Sequence, residues 1–224
     1  ASKQNSVMSD TRIDWSNRYG AHYVHLFGGA RINWESYTMT SLVGYNTGND
    51  KTPFMKKELS PKDDFGTNDN WNSLAWYAQA EYNYKGRYFL QANLTIEGSS
   101  RFGRDGGDFR AFKAPWGVFP GVQASWVVSN EPWFSKIKPI NFLRLTAGYD
   151  ISGNDDIDYY AARSYFSGAQ FLNAIAGLSF AGIGNTKIQW ETTRRFNVGL
   201  ETNLIQNRLG LNINYFRSIT DNLL

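Results

Sequence analysis

Two neighbouring segments of this sequence alternate between apolar and polar residues, and this alternation constrains the fold more than any other feature. In residues 74–84 the apolar and aromatic side chains fall on every second position, with amides and a carboxylate between most of them. After Lys85-Gly86 the same pattern resumes in residues 88–96. A period of two residues is that of a β-strand, so the sequence predicts an antiparallel hairpin with one apolar and one polar face.

Strand-like segments recur along the chain, about eight in all by the same criteria. They lie near residues 22–32, 36–46, 73–84, 87–98, 116–129, 141–152, 189–204 and 208–219. The connections alternate in predicted length: Trp34-Glu35-Ser36 and Lys85-Gly86 are short, whereas residues 47–72 and 99–115 are long. Short turns at one end of the strands and long loops at the other are typical of outer-membrane β-barrels.

The predicted strand length agrees with a sheet that spans a membrane. A strand over residues 74–84 rises ~28 Å at a tilt of ~40°, close to the ~25 Å apolar band of such barrels. Mean hydropathy is -0.47, and no run approaches the ~18 apolar residues of a transmembrane helix. A barrel is compatible with these values because only alternate residues meet lipid. The sequence therefore predicts an all-β fold, an antiparallel transmembrane β-barrel.

In such a barrel the apolar face of each strand contacts lipid and the polar face lines the lumen. The alternative is a water-soluble β-sandwich, which would bury the apolar face between two sheets. On the barrel hypothesis, one set of apolar and aromatic side chains is predicted to face lipid. These residues are Leu74, Trp76, Tyr82, Tyr88, Leu90, Leu94, Ile96, Trp126, Leu143, Leu145, Leu211 and Ile213.

Composition excludes several classes of function. The 23 Lys and Arg residues and the 20 Asp and Glu residues give a net charge of +3, without the basic stripe that a nucleic-acid-binding protein needs. The chain has no Cys, which excludes disulfides and thiol chemistry. Its only histidines, His22 and His25, would point to opposite faces of a strand, so no zinc site is expected. The sequence has no catalytic motif, and no enzymatic activity is expected.

An acidic segment near residue 155 partly matches a calcium-binding loop. Asn154, Asp156 and Asp158 fall on alternate positions, but Tyr159 and Tyr165 stand where the motif requires Gly and Glu. No cofactor is therefore expected, and calcium bound by this loop is the alternative.

The predicted long loops carry aromatic residues suited to binding a substrate. Aromatic faces stack against the apolar faces of sugar rings, and the predicted substrate-binding residues are Phe65, Trp71, Tyr159 and Tyr160. Packing within the loops is the alternative for each of them.

Residues 171–184 form the most apolar stretch of the chain. Phe171, Leu172, Ile175 and Leu178 lie at roughly helical spacing, which predicts a short loop helix packed on the rim of the barrel. The alternative is a surface that contacts a lid-like partner protein.

Four blocks of sequence resemble the β-barrel of the SusC/RagA family of TonB-dependent outer-membrane transporters. They are "RYFLQANLTIEGSSRFG", "WGVFPGVQASWVVSNEPWF", "LRLTAGYDISGND" and "IQWETTRRFNVGLETNLIQNRLGLNINYFRSITDNLL". The resemblance covers residues 70–224 and, more loosely, 20–46. It implies a large barrel in the bacterial outer membrane with a plug domain in its lumen. It also implies import of glycans or peptides with a SusD-like lipoprotein, energised by TonB.

This sequence departs from a complete member of that family. We find no plug domain and no TonB box, and about eight strands are far fewer than the ~22 of a plugged barrel. Residues 1–224 are therefore expected to be part of one barrel domain. The expected function is active import of glycans with a SusD-like lipoprotein and TonB, the latter acting through regions absent here. The alternatives are a peptide importer of the same family, a stand-alone passive or adhesive barrel, and a soluble carbohydrate-binding β-sandwich.

Overall fold

The computed structural model describes residues 1–44, 62–112, 114–137, 139–171 and 175–223, and nearly all of its regular structure is β-sheet. Two single-turn 3₁₀ helices, Val128–Asn130 and Phe134–Lys136, are also found in this part of the chain. The strands are β1 (Ser2–Tyr19), β2 (His22–Gly44), β3 (Lys62–Tyr84), β4 (Tyr88–Ser99), β5 (Phe109–Ala111), β6 (Ala114–Val127), β7 (Ile140–Asn154), β8 (Tyr165–Phe171), β9 (Ile175–Gly182), β10 (Glu191–Leu204) and β11 (Leu209–Asp221). Among the described helices, none has the length and apolar character needed to cross a membrane.

One antiparallel sheet contains most of these strands. Its order is β1-β2-β3-β4-β6-β7-β10-β11, and the short β5 pairs with β6. Neighbours in the sheet are therefore neighbours in the chain, apart from β5 and the separate hairpin formed by β8 and β9. Across the described residues β1 and β11 do not pair with each other, so the sheet is open. The predicted all-β antiparallel fold is confirmed.

The predicted turn at residues 34–36 is wrong. The two strands predicted on either side of it are one strand, β2, which runs through Trp34. Trp34 pairs with Val7 on β1 and with Asn72 on β3, so both edges of β2 are hydrogen-bonded where a turn was expected. Because pairing on both sides satisfies the backbone, the strand continues although its alternation is irregular.

Two further strand segments were not predicted because most of their residues are polar. Residues 2–19 form β1, which is exposed along its whole length and joins β2 through a tight turn at Gly20, where φ is +61°. Residues 62–72, predicted as part of a long loop, form the first half of β3. Asp, Asn and Gly are disfavoured in strands, but pairing with β2 overrides that local preference.

The helix predicted in residues 171–184 is also wrong. Ile175–Gly182 is strand β9, paired with β8. Leu172 lies outside the described residues. A short apolar run does not distinguish helix from strand by spacing alone, and here the preceding segment supplies a partner strand.

The register of the sheet separates the side chains into two faces. Directly paired residues share a face, as in the row Ile13, Gly28, Ala78 and Leu94. We call this the apolar face, and the opposite one, which carries Gln79 and Glu81, the polar face. All twelve residues predicted to contact lipid lie on the apolar face by register. Eight of them are exposed: Trp76, Tyr82, Tyr88, Leu90, Leu94, Leu145, Leu211 and Ile213.

The connections differ between the two ends of the sheet. At one end, which we call the short-turn end, the turns at residues 20–21, 85–87 and 205–208 are short. At the other, the long-loop end, the chain between β4 and β6 and between β7 and β10 is much longer. The expected segregation of loop lengths is present except for residues 128–139, which join β6 to β7 at the short-turn end, and the first short turn is at residues 20–21 in place of 34–36.

Candidate functional site

The structure brings Trp71 and Tyr159 together through an arginine that the sequence did not single out. The Arg101 guanidinium carbon lies 4.5 Å from the centre of the Trp71 ring and 4.9 Å from the centre of the Tyr159 ring. Both distances are those of cation–π contacts. We call Trp71, Arg101 and Tyr159 the rim clamp, because they meet at the long-loop end of the sheet.

Hydrogen bonds join the three segments of the chain that carry the rim clamp. Trp71 Nε1 donates to Ser99 Oγ at 3.1 Å, and Ser99 Oγ donates to Asp155 Oδ2 at 3.2 Å. Arg101 Nη1 donates to the backbone carbonyl of Asp155 at 3.0 Å. Ser99 is only 1% exposed, so these bonds lie in an environment that is shielded from water. They join β3, the end of β4 and the connection that follows β7.

Tyr160 lies beside the rim clamp and makes its own contact with β3. Its hydroxyl donates to the backbone carbonyl of Asn68 at 2.9 Å. In the sheet, β4 and β6 separate β3 from β7, so the connection after β7 reaches across two strands to make this bond.

Two of the predicted substrate-binding residues do not lie in a loop. Trp71 and Phe65 both belong to β3, and the Phe65 backbone pairs with Ser41 on β2. The Phe65 side chain lies outside the described part of the chain. Tyr159 and Tyr160 do follow β7 in a connection, as predicted. Binding of substrate by these four residues stays a prediction.

A packed aromatic cluster lies at the same end of the sheet. Phe102, Phe119 and Trp190 are buried, with the Phe102 and Trp190 ring centres 4.1 Å apart. Backbone bonds also join the two long connections: Gly103 N donates to the Ile188 carbonyl at 3.2 Å. The long-loop end is therefore a packed structure, and its parts come from distant stretches of sequence.

The polar face carries connected ionic groups near the start of the chain. The carboxylate of Asp10 accepts from the Tyr77 hydroxyl and pairs with Arg31 at 2.8 Å. His25 lies between two carboxylates, with Nε2 3.3 Å from Asp14 and Nδ1 3.2 Å from Glu81.

The two histidines do point to opposite faces, as predicted. His25 lies on the polar face, whereas His22 Nδ1 lies 2.8 Å from the Tyr82 hydroxyl on the apolar face. Among the described residues there is no cluster of side chains arranged to hold a metal ion. In the acidic segment, the Asp156 amide donates to Asn154 Oδ1 at 3.1 Å, which forms a local turn. Calcium bound by this loop stays a prediction.

A buried carboxylate organises the short-turn end. Glu131 is 8% exposed, and it accepts hydrogen bonds from the Tyr88 hydroxyl at 2.6 Å, Trp126 Nε1 at 3.1 Å and Arg87 Nη1 at 3.2 Å. The hydrogen bond from Tyr88, assisted by Trp126 and Arg87, holds the pKa of Glu131 below its ordinary value. Asn130 Nδ2 adds a 2.7 Å bond to the Gly86 carbonyl. Together these contacts fix the turn after β3 to the segment after β6.

Comparisons with known proteins identify this sheet. The family described as TonB dependent receptor-like, beta-barrel, matches residues 2–224. TonB-dependent receptor P39 of Formosa agariphila is 30% identical over 85% of this chain and 18% of that protein. TonB-dependent receptor SusC of Bacteroides thetaiotaomicron is 26% identical over 67% of this chain and 15% of that protein.

Solved structures agree on the fold. The structure of the RagAB peptide transporter matches with a TM-score of 0.78 and 18% identity, over 98% of this chain and 24% of that one. The RagAB peptide importer in its closed-closed state gives a TM-score of 0.79 at 18% identity, over 97% of this chain and 23% of that one. The chain thus spans less than a quarter of the length of these proteins. It belongs to the TonB-dependent receptor-like β-barrel family and is of the SusC/RagA type.

Proposed function

We propose that this chain forms part of the wall of a bacterial outer-membrane importer, with the apolar face against lipid and the polar face toward the lumen. The observation that carries the proposal is one layer of sheet whose apolar face is exposed along successive strands. Trp76, Leu90 and Ile213 are each more than 45% exposed. In water such a face needs a covering layer, whereas lipid stabilises it as it stands.

We infer that the full-length protein takes up glycans or their oligosaccharides, driven by TonB and assisted by a SusD-like lipoprotein. Family membership and the similarity to SusC support this function. Short turns face the periplasm in outer-membrane barrels, so the long-loop end and its rim clamp would face the outside. Aromatic faces at that entrance are suited to stacking against sugar rings.

A peptide importer is the second candidate, and one contact favours it. The rim clamp holds a guanidinium group, which is the side chain that an arginine-containing peptide would offer. The similar RagAB structures are described as a peptide transporter, although at 18% identity they support the fold alone.

Growth of cells that carry or lack the full-length gene separates these possibilities. We expect deletion of the gene to abolish growth on one class of glycan as sole carbon source, and deletion of TonB to have the same effect. Growth lost only when peptides are the nutrient source would favour the peptide importer. Normal uptake in cells without TonB would contradict active import and favour a passive barrel.

A further inference from the structure

The aromatic faces predicted to bind substrate are already occupied by the chain itself. The guanidinium group of Arg101 contacts both the Trp71 and the Tyr159 ring, at 4.5 and 4.9 Å. The same side chain donates to the Asp155 carbonyl through Nη1. Arg101 therefore occupies the two aromatic faces of the rim clamp and also holds the connection that follows β7.

That connection covers the polar face at the long-loop end. By register, Trp71 and Ser99 lie on the polar face, and Asp155 hydrogen-bonds to Ser99 there. Tyr160 extends the cover to β3 through its bond to Asn68. The segment of residues 155–160 thus closes over the strand ends that would line the entrance to the lumen.

The closed arrangement has an unfavourable feature. Within the described residues, Arg101 Nε is buried and has no hydrogen-bond partner. A buried donor without a partner loses its bonds to water and gains none in return. Release of Arg101 into solvent would restore those bonds. A ligand that stacks on the two rings can therefore compete with Arg101.

We propose that Arg101 competes with ligands for the aromatic faces of Trp71 and Tyr159. A ligand binds to the faces of Trp71 and Tyr159 only when it displaces the guanidinium, and the displacement releases residues 155–160 from β3 and β4. The inference rests on the proposed function only for the identity of that ligand. Ligand binding and opening of the entrance then become one event at one site.

Hydrogen exchange of the full-length protein tests, without any substrate, whether Arg101 holds residues 155–160 against β3 and β4. The amides of Ala161 and Arg163 are bonded to the carbonyls of Asp158 and Tyr160, so peptides across this segment report its opening. We expect Arg101→Ala to speed exchange there about tenfold, in line with the loss of cation–π and hydrogen-bond contacts.

The matched control is Arg104→Gln in the same connection. Arg104 is 73% exposed and pairs only with its neighbour Asp105 among the described residues, so exchange should match the wild type. Methylguanidinium added to Arg101→Ala should restore protection, and it should fail to do so when Trp71→Ala is also present. Unchanged exchange in Arg101→Ala would overturn the proposal.

Ligand binding tests the competition. Neutral oligosaccharides of several linkages and arginine-containing peptides serve as probes of the purified full-length protein. For any probe that binds, Arg101→Ala should raise the affinity about tenfold and Trp71→Ala should lower it. A lower affinity in Arg101→Ala would make Arg101 a ligand contact and overturn the proposal. If no probe binds, the proposed substrates are wrong, and the exchange experiment still decides whether Arg101 holds residues 155–160 in place.

Discussion

The Tyr88 hydroxyl donates a 2.6 Å hydrogen bond to Glu131 and so joins the first residue of β4 to the segment after β6. Trp126 donates to the same carboxylate oxygen at 3.1 Å, and its ring stacks on Tyr88 with centres 6.2 Å apart. One carboxylate thus orders two aromatic side chains at the short-turn end, where the barrel would meet the membrane interface. Tyr and Trp are favoured there because the ring enters the apolar layer and the polar atom stays at its edge.

Glu131→Gln should remove a part of the folding stability that depends on pH. The folded pKa of Glu131 is lowered, chiefly by the hydrogen bond from Tyr88. The contribution of Glu131 to the free energy of unfolding is therefore complete above the ordinary carboxyl pKa of about 4.3. It is lost as pH falls through the lower pKa of the folded state. We expect the variant to unfold at a lower temperature at pH 7, and the difference from wild type to shrink below about pH 4. Thermal unfolding across pH, with Glu35→Gln as control, measures this, and a difference independent of pH would contradict it.

Phe119→Ala should strongly destabilise the long-loop end. The ring is 7% exposed and packs with Phe102 and Trp190, and removal of a buried Phe side chain costs about 3–5 kcal/mol. Phe112→Ala is the control because that ring is 91% exposed, and its change should stay within about 0.5 kcal/mol. Denaturant unfolding of the two variants gives the comparison. Equal effects would mean that the aromatic cluster is not a packed core.

The strands with clear alternation could be predicted from the sequence, and the others depend on their partners. The side chains of residues 88–99 alternate between the apolar and the polar face, so the sequence pattern of β4 agrees with its register in the sheet. Most side chains in residues 2–19 and 62–72 are polar, and pairing with β2 makes these segments strands. Arg101 was not identified because its partners, Trp71 and Tyr159, lie on separate elements that meet only in the folded sheet. Aromatic composition could point to Tyr159, whereas no local pattern indicates what occupies its face.

Gly153→Ala should be harmful chiefly because of the Phe119 ring. A Cβ atom on Gly153 would overlap the end of the Phe119 ring, and overpacking of this kind costs about 1–3 kcal/mol. Phe119→Leu shortens that neighbour, so the double variant should be more stable than the sum of the two single changes predicts. Denaturant unfolding of all four proteins provides the double-mutant cycle. Additive effects would show that the ring and the glycine do not meet.

A charge on the apolar face should be more costly than the same charge on the polar face. Leu94 lies on the apolar face near the middle of β4 and is 39% exposed, whereas Gln91 points to the polar face. Arginine near the bilayer midplane of a barrel costs about 2–4 kcal/mol. We therefore expect Leu94→Arg to reduce folding in lipid vesicles much more than Gln91→Arg. Equal folding yields would contradict the proposed orientation of the sheet.

Loss of the Trp71 ring should weaken uptake even though the barrel wall stays intact. One stacking contact contributes on the order of 1.4 kcal/mol, so Trp71→Ala should lower uptake at low substrate concentration about tenfold.

Tyr160→Ala should also lower uptake, whereas Tyr160→Phe separates the role of the ring from that of its hydroxyl. If Tyr160 binds substrate through its ring, Tyr160→Phe keeps uptake and loses only the 2.9 Å bond to Asn68. Uptake assays with surface abundance measured in parallel decide this. Normal uptake in both alanine variants would exclude these side chains from the substrate path and confine them to packing of the long loops.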